Sequence, residues 1–190
     1  MSSNTRIPKT KPTGILGATV TLASRRMVGD VPEPLEVVWH NRKVTMFSLR
    51  MARSLQKWDT CDESLKSYAH MAVASLVGCG FCLDLGYFKA HNDGLDLHKA
   101  REVPSWRTSQ AFDPLERDVL EYAEAMTVTP PTVTDELSAR LVKALGPSAM
   151  VELTMFIALV NTMTRSNAAM GIGSQGYADA CGLAPMPARA

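Results

Sequence analysis

Apolar side chains recur along this chain at helical rather than alternating spacing. From Leu35 to Lys57 the positions Val37, Val38, Val44, Phe47, Met51 and Leu55 follow a helical period. Arg42, Lys43, Arg50 and Arg53 are left to face water, which predicts one broken helix or two short ones. Cys61-Asp62-Glu63 opens the next helix, capped by Thr60 or Asp62, which runs through Leu65, Tyr68, Ala69, Ala72, Val73 and Leu76 to a stop at Gly78. The small residues Ala69, Ala72, Ala74 and Ser75 would let a partner helix come close. A second helix from about Cys79 to His91 ends at the turn signal Asn92-Asp93-Gly94. Asp96 to Glu102 reads as a short helix before Pro104, and Ser105 to Phe112 as a loop carrying Trp106. Asp113 as N-cap with Pro114 at N1 starts a helix through Val119, Leu120, Tyr122, Ala123 and Met126, which Thr129-Pro130-Pro131 ends.

Thr134-Asp135-Glu136 begins a helix over Leu137, Leu141 and Leu145 that halts at Gly146-Pro147. Ser148 then caps the longest and most apolar helix, through Met150, Leu153, Phe156, Ile157, Val160 and Met163 to about Met170. Gly171, Gly173 and Gly176 dissolve the order after it. No alternating run of strand length interrupts the series, so the fold class is all-α, with seven or eight helices. Ahead of them, Met1 to about Pro34 carries prolines at 8, 12, 32 and 34 and glycines at 14, 17 and 29. That spacing predicts an extended arm with at most a short turn of helix, loose in a monomer and able to wrap a neighbour in an oligomer. The chain thus divides into an arm (1–34), a helical domain (35–175) and a tail (176–190).

At 190 residues and 46% hydrophobic, the chain can fill one substantial core. A formal net charge of +1, a pI near 7.7 and the lack of any Lys/Arg block give no footprint for a nucleic acid or a membrane surface. The apolar patch Gly14 to Leu22 is short and interrupted, a poor signal peptide. The run Ala149 to Met163 holds Glu152 and Asn161, with Arg165 just beyond, and reads as a buried helix rather than a membrane span. A cytoplasmic location is expected. In a reducing cytosol the four cysteines (Cys61, Cys79, Cys82, Cys181) are not expected to form permanent disulfides, and a Cys-x-x-Cys is catalytic or metal-binding.

Cys79 and Cys82 carry the candidate chemistry. Gly78 can end the preceding helix, which puts Cys79 in the first turn of the next, where free amides and the helix dipole favour a thiolate. A single Cys-x-x-Cys without a second paired-ligand motif is weak support for zinc held with His91 and His98, so no metal or other cofactor is expected. Cys61 and Cys181 read as isolated thiols, and the 11 methionines as core filling.

Three stretches resemble the AhpD-like and carboxymuconolactone decarboxylase superfamily over roughly residues 62–171. They are Gly78-Cys79-Gly80-Phe81-Cys82-Leu83-Asp84; Phe112-Asp113-Pro114-Leu115-Glu116-Arg117 leading to Tyr122-Ala123-Glu124-Ala125-Met126; and Val151-Glu152-Leu153 through Asn161 to Arg165, Asn167 and Ala168. The resemblance implies an AhpD-like helical fold around a hairpin bearing the Cys-x-x-Cys, and a ring-like homo-oligomer, trimer or hexamer. It also implies a thiol-dependent peroxidase in which Cys82 is peroxidatic and Cys79 resolving. Such an enzyme takes a small peroxide as substrate and needs a dithiol reductant protein as partner. The chemistry agrees with general cysteine redox behaviour: a thiolate attacks the O–O bond and a neighbouring thiol prevents overoxidation.

The chain departs from the peroxidase members at two positions. Where they place a histidine four residues after the second cysteine it has Gly86, and where they place a glutamate twelve residues before the first it has Ser67. In an antiparallel hairpin with position 67 opposite 86, position 70 lies opposite about 83, close to Cys82, so His70 is the candidate replacement base. Asp84, two residues past Cys82, should face away as a surface or inter-helix hydrogen-bonding residue. Asn161 and Arg165 should pair within the subunit or across an interface. Two other readings stand beside the peroxidase: a lyase like the lactone decarboxylases with His70 as acid or base, and a ligand-binding member whose dithiol is a remnant.

Overall fold

A computed structural model describes residues 5–180. Nine α-helices and one 3-10 turn follow one another, with no strand among the described residues: α1 (Gly14–Val28), α2 (Glu33–Val38), α3 (Arg42–Leu55), α4 (Glu63–Val77), α5 (Gly80–Asn92), α6 (Leu97–Glu102), the turn Val103–Ser105, α7 (Pro114–Thr127), α8 (Asp135–Met170) and α9 (Tyr177–Ala180). The all-α reading holds, and α4 to α7 begin and end within a residue or two of the expected signals.

The caps explain this agreement. Asp62, not Thr60, caps α4 by accepting from the Ser64 N–H at 2.8 Å. Asp113 and Glu116 close a capping box around Pro114, and Asn41 separates α2 from α3 by accepting from the N–H groups of Lys43 and Val44. Helix α8 joins the two expected helices across a kink at Gly146, where φ is +79° and Pro147 begins the second segment.

The core centres on α4, which packs against α5, α7 and α8. Leu65, Ala69, Met71, Val73 and Ala74 are all buried, so the helix is covered on nearly every side. Leu120 and Ala123 of α7 and Leu153, Ile157 and Val160 of α8 close around it. Its small residues permit the close approach that the sequence suggested.

Three expectations need correction. The amino-terminal arm is not merely extended, because α1 occupies 15 of its residues. Prolines 8, 12 and 32 flank that helix rather than break it, and Gly17 inside it is required because a Cβ there would stand 2.5 Å from the Pro12 carbonyl carbon. The segment after Gly171 is not shapeless: Ile172, Tyr177 and Ala178 are buried and α9 forms. Finally, α8 is one-sided rather than fully buried, with Val151 64% and Met155 48% exposed opposite its packed face. By length and composition alone it could cross a membrane; in this fold its inner face packs on α4 and α7. Cys181 and the rest of the tail lie outside the described residues.

Candidate functional site

Helix α4 ends because Gly78 adopts the left-handed conformation at φ +77°, and the N–H groups of Gly78 and Cys79 return to the carbonyls of Ser75 and Ala74. The chain reverses there, and Cys79 becomes the N-cap of α5. Its sulfur takes the part that Ser, Thr, Asp or Asn usually plays, accepting from the Cys82 N–H at 3.3 Å. Cys79 and Cys82 are joined as a disulfide with a Cα–Cα separation of 5.3 Å. The second sulfur has its own donor: Asn167 Nδ2, in the last turn of α8, lies 3.4 Å from Cys82 Sγ. Among the described residues no ionisable side chain hydrogen-bonds to either sulfur.

Both cysteines are buried, Cys79 at 1% and Cys82 at 4% exposure. The segment 171–178 is strapped across the same helix, α5. Asp84 holds it by accepting from Ser174 Oγ at 2.9 Å and from the backbone N–H groups of Gln175, Tyr177 and Ala178 at 3.2, 3.0 and 2.9 Å. Asp84 is therefore a buried hydrogen-bonding residue, and its partners come from the carboxy-terminal strap rather than from a neighbouring long helix. Tyr177 packs edge-on to Phe81 with ring centroids 6.0 Å apart, and the Ser174 backbone lies beside Gly80.

The hairpin register differs from the expected one. Its mirror point falls between Gly78 and Cys79, so Gly86 meets Met71 and His70 rather than Ser67. A Cβ at 86 would lie 3.0 Å from Met71 Cγ and 3.8 Å from His70 Nδ1 and Cε1. Position 86 thus has little room for a side chain, and the His70 ring arrives at the same place from the opposite helix, one turn along α5 from Cys82. Burial, with a smaller contribution from the Lys89 ammonium, pushes the His70 imidazole down to about 4, so it is neutral at pH 7 and can accept a proton. It does not hydrogen-bond to either sulfur. Ser67 is buried in the middle of α4, and Ser75 Oγ, in the turn before Cys79, is buried without a partner.

Asn161 and Arg165 pair within the chain, tying α8 to the end of α7 through Thr127 Oγ1 and the Thr127 carbonyl. The His91 ring lies 3.4 Å from the Asn92 side-chain oxygen, and among the described residues no cluster of His, Cys, Asp or Glu is arranged to hold a metal. Cys61 is a buried free thiol whose pKa burial pushes up to about 11, which keeps it protonated and inert.

Residues 46–125 match the carboxymuconolactone decarboxylase family. Over 155 residues the chain is 36% identical to the protein YnjA of Escherichia coli K12, spanning 80% of this chain and 84% of YnjA. The chain belongs to the carboxymuconolactone decarboxylase family. Solved structures extend the likeness of fold well beyond the matched segment. The debrominase Bmp8 superposes with a TM-score of 0.76 over 89% of this chain and 93% of its own, at 20% identity. A peroxidase-related protein from Silicibacter sp. TM1040 gives 0.76 over 88% of each chain at 16% identity. Within the carboxymuconolactone decarboxylase family, this chain carries a Cys-x-x-Cys at disulfide distance, the arrangement a redox role requires.

Sequence reasoning found both cysteines and missed Asn167. Asn167 was quoted only as part of a family pattern, because its partner is 85 residues away and no local spacing links them.

Proposed function

We propose that this protein is a thiol-dependent oxidoreductase of the alkylhydroperoxidase type, with Cys82 peroxidatic and Cys79 resolving. The observation that carries the reading is the disulfide itself, placed in the first turn of a helix with one hydrogen-bond donor on each sulfur. In the reduced state the Cys82 thiolate attacks the distal oxygen of a hydroperoxide. An S–O bond forms, the O–O bond breaks, and the alkoxide leaves as an alcohol after taking up a proton. The Cys79 thiol then displaces water from the Cys82 sulfenic acid to give the disulfide, and an external dithiol protein supplies two electrons and two protons to reopen it. His70, neutral and beside Gly86, can pass on the proton that Cys82 gives up on activation but, with its pKa pushed down to about 4, does not hold it, so it does not itself set the thiolate fraction.

The assignment of roles follows the likeness to the peroxidase members and is supported by the side-chain donor that Cys82 Sγ has in Asn167. We further propose a homo-oligomer of trimer or hexamer type. The apolar side chains left open on α3 and α8, Phe47 at 61% and Val151 at 64% exposure among them, support it. The test is to treat the reduced protein with a small hydroperoxide and a sulfenic-acid trap. Cys79→Ser should accumulate the sulfenic acid on Cys82, and Cys82→Ser should give none. Trapping on Cys79 instead would reverse the roles, and no trapping in either variant would remove the peroxidase reading.

A further inference from the structure

Resting on the reading that Cys82 is the attacking thiol, we infer that Asn167 is a catalytic residue whose side-chain amide holds the Cys82 sulfur in its anionic form. Its amide moves no proton; it stabilises the thiolate directly, in a chain where Gly86 and Ser67 supply no proton relay to favour it. Three observations converge. The amide of Asn167 donates to Cys82 Sγ at 3.4 Å, and this is the one side-chain hydrogen bond to either sulfur among the described residues. Asn167 is 8% exposed, so the contact is shielded from competing water, and a donor in such surroundings favours an anion more strongly than it would in solvent.

The third observation is that the backbone carrying the amide is held in place by its neighbours. Asn167 stands in the final turn of α8, where its own carbonyl accepts from the Ile172 N–H at 3.0 Å as the chain turns through Gly171. Arg6 then ties down the carbonyls of Ala168 and Ala169 at 3.1 and 2.8 Å, and its own N–H reaches the Met170 carbonyl. A surface asparagine at a helix end would be free to rotate. This one has its backbone fixed from both ends of the chain and its side chain aimed at the reacting atom.

The contrast with an ionisable relay is physical. A histidine changes its own charge close to the pH range in which the thiol ionises; an amide does not, and it donates most strongly to a thiolate while still able to donate to a sulfenate or a disulfide sulfur. Together with the Cys82 N–H on Cys79, each sulfur has one neutral donor throughout the cycle.

The test reads the thiolate directly and does not depend on peroxide turnover. In a Cys79→Ser background, which leaves Cys82 unable to close the disulfide, the rate of iodoacetamide alkylation at Cys82 is followed against pH by mass spectrometry of its peptide. Asn167→Leu should move the midpoint upward by roughly one to two pH units, the size that a hydrogen bond to a charged group supplies. Asn167→Asp, which keeps the shape but brings a carboxylate to the sulfur, should move it further. Asn167→Ser, which retains a donor, should recover part of the shift if the protein's thermal midpoint is unchanged. Midpoints that coincide with the parent in both the Leu and the Asp variants would overturn the inference. A parallel arm exposes the wild-type protein to hydroperoxide. Failure of that arm alone would remove the peroxidase reading and leave the assignment of the amide standing, whereas oxidation of wild type with unmoved midpoints would do the reverse.

Discussion

The two ends of α4 hold buried polar groups in opposite ways. At the amino-terminal end Lys66, 2% exposed, sits with its ammonium 3.0 Å from both Glu63 and Glu152 and donates to the Trp58 carbonyl. Glu152 in turn accepts from the N–H groups of Thr60 and Cys61 at 2.9 and 3.1 Å. Burial works against both charges, but their partners outweigh it: Glu63 and then Glu152 keep the Lys66 pKa above its ordinary value, and the N–H groups of Thr60 and Cys61 and then Lys66 keep that of Glu152 below. At the carboxy-terminal end the sulfurs meet only a backbone N–H and an amide, with the neutral His70 a turn away. One end is a fixed charge cluster that pins the 58–62 loop to α8. The other presents only neutral donors to atoms whose charge must change, while the nearby Asp84 carboxylate is taken up by the strap.

Breaking the charged end should have the largest effect. Glu152→Ala leaves the buried Lys66 ammonium with only Glu63 and the Trp58 carbonyl and leaves two backbone donors unpaired, and should cost roughly 3 kcal/mol in a urea titration. The double variant Lys66→Met with Glu152→Gln should recover most of that loss, because a buried pair replaced as a whole costs far less than one broken in half. Recovery of nothing would show that the cluster does more than compensate its own burial.

At the dithiol end, Asp84→Ala removes the acceptor for four donors of the strap. We expect a loss of about 1–3 kcal/mol and faster reduction of the Cys79–Cys82 disulfide by dithiothreitol, followed by thiol release; an unchanged rate would mean that the strap does not control access. The effect of His70 appears only as the pH is lowered, and its sign is fixed. The unfolded imidazole binds a proton near 6.5 and the folded one only near 4, so the contribution is complete above 6.5 and is lost as pH falls toward 4. The difference in stability between wild type and His70→Gln should therefore shrink through that window, measured by denaturation at each pH.

Local signals carried the hairpin: Gly78 after an apolar run and Cys79 opening the next helix were both readable, as were the caps at Asp62, Asp113 and Thr134. The sequence misled where proline spacing was taken as breakage, since α1 fits between Pro12 and Pro32 with Gly17 making room for the turn back. It was silent on long-range contacts. Asp84 gathers donors about ninety residues further on, and Asn167 reaches Cys82 across a similar span, so neither contact leaves a periodicity to read. The hairpin register was off by about a turn because the mirror point depends on how many residues Gly78 and Cys79 place in the bend, which spacing alone does not give.

The account turns on whether the neutral end of α4 is chemically alive. Free thiols counted before and after a brief exposure of the reduced protein to hydroperoxide, with mass spectrometry of the peptide spanning Cys79 to Lys89, test this most directly. We predict the rapid loss of two thiols and a peptide lighter by two hydrogens. An unchanged thiol count and an unshifted peptide would contradict the account.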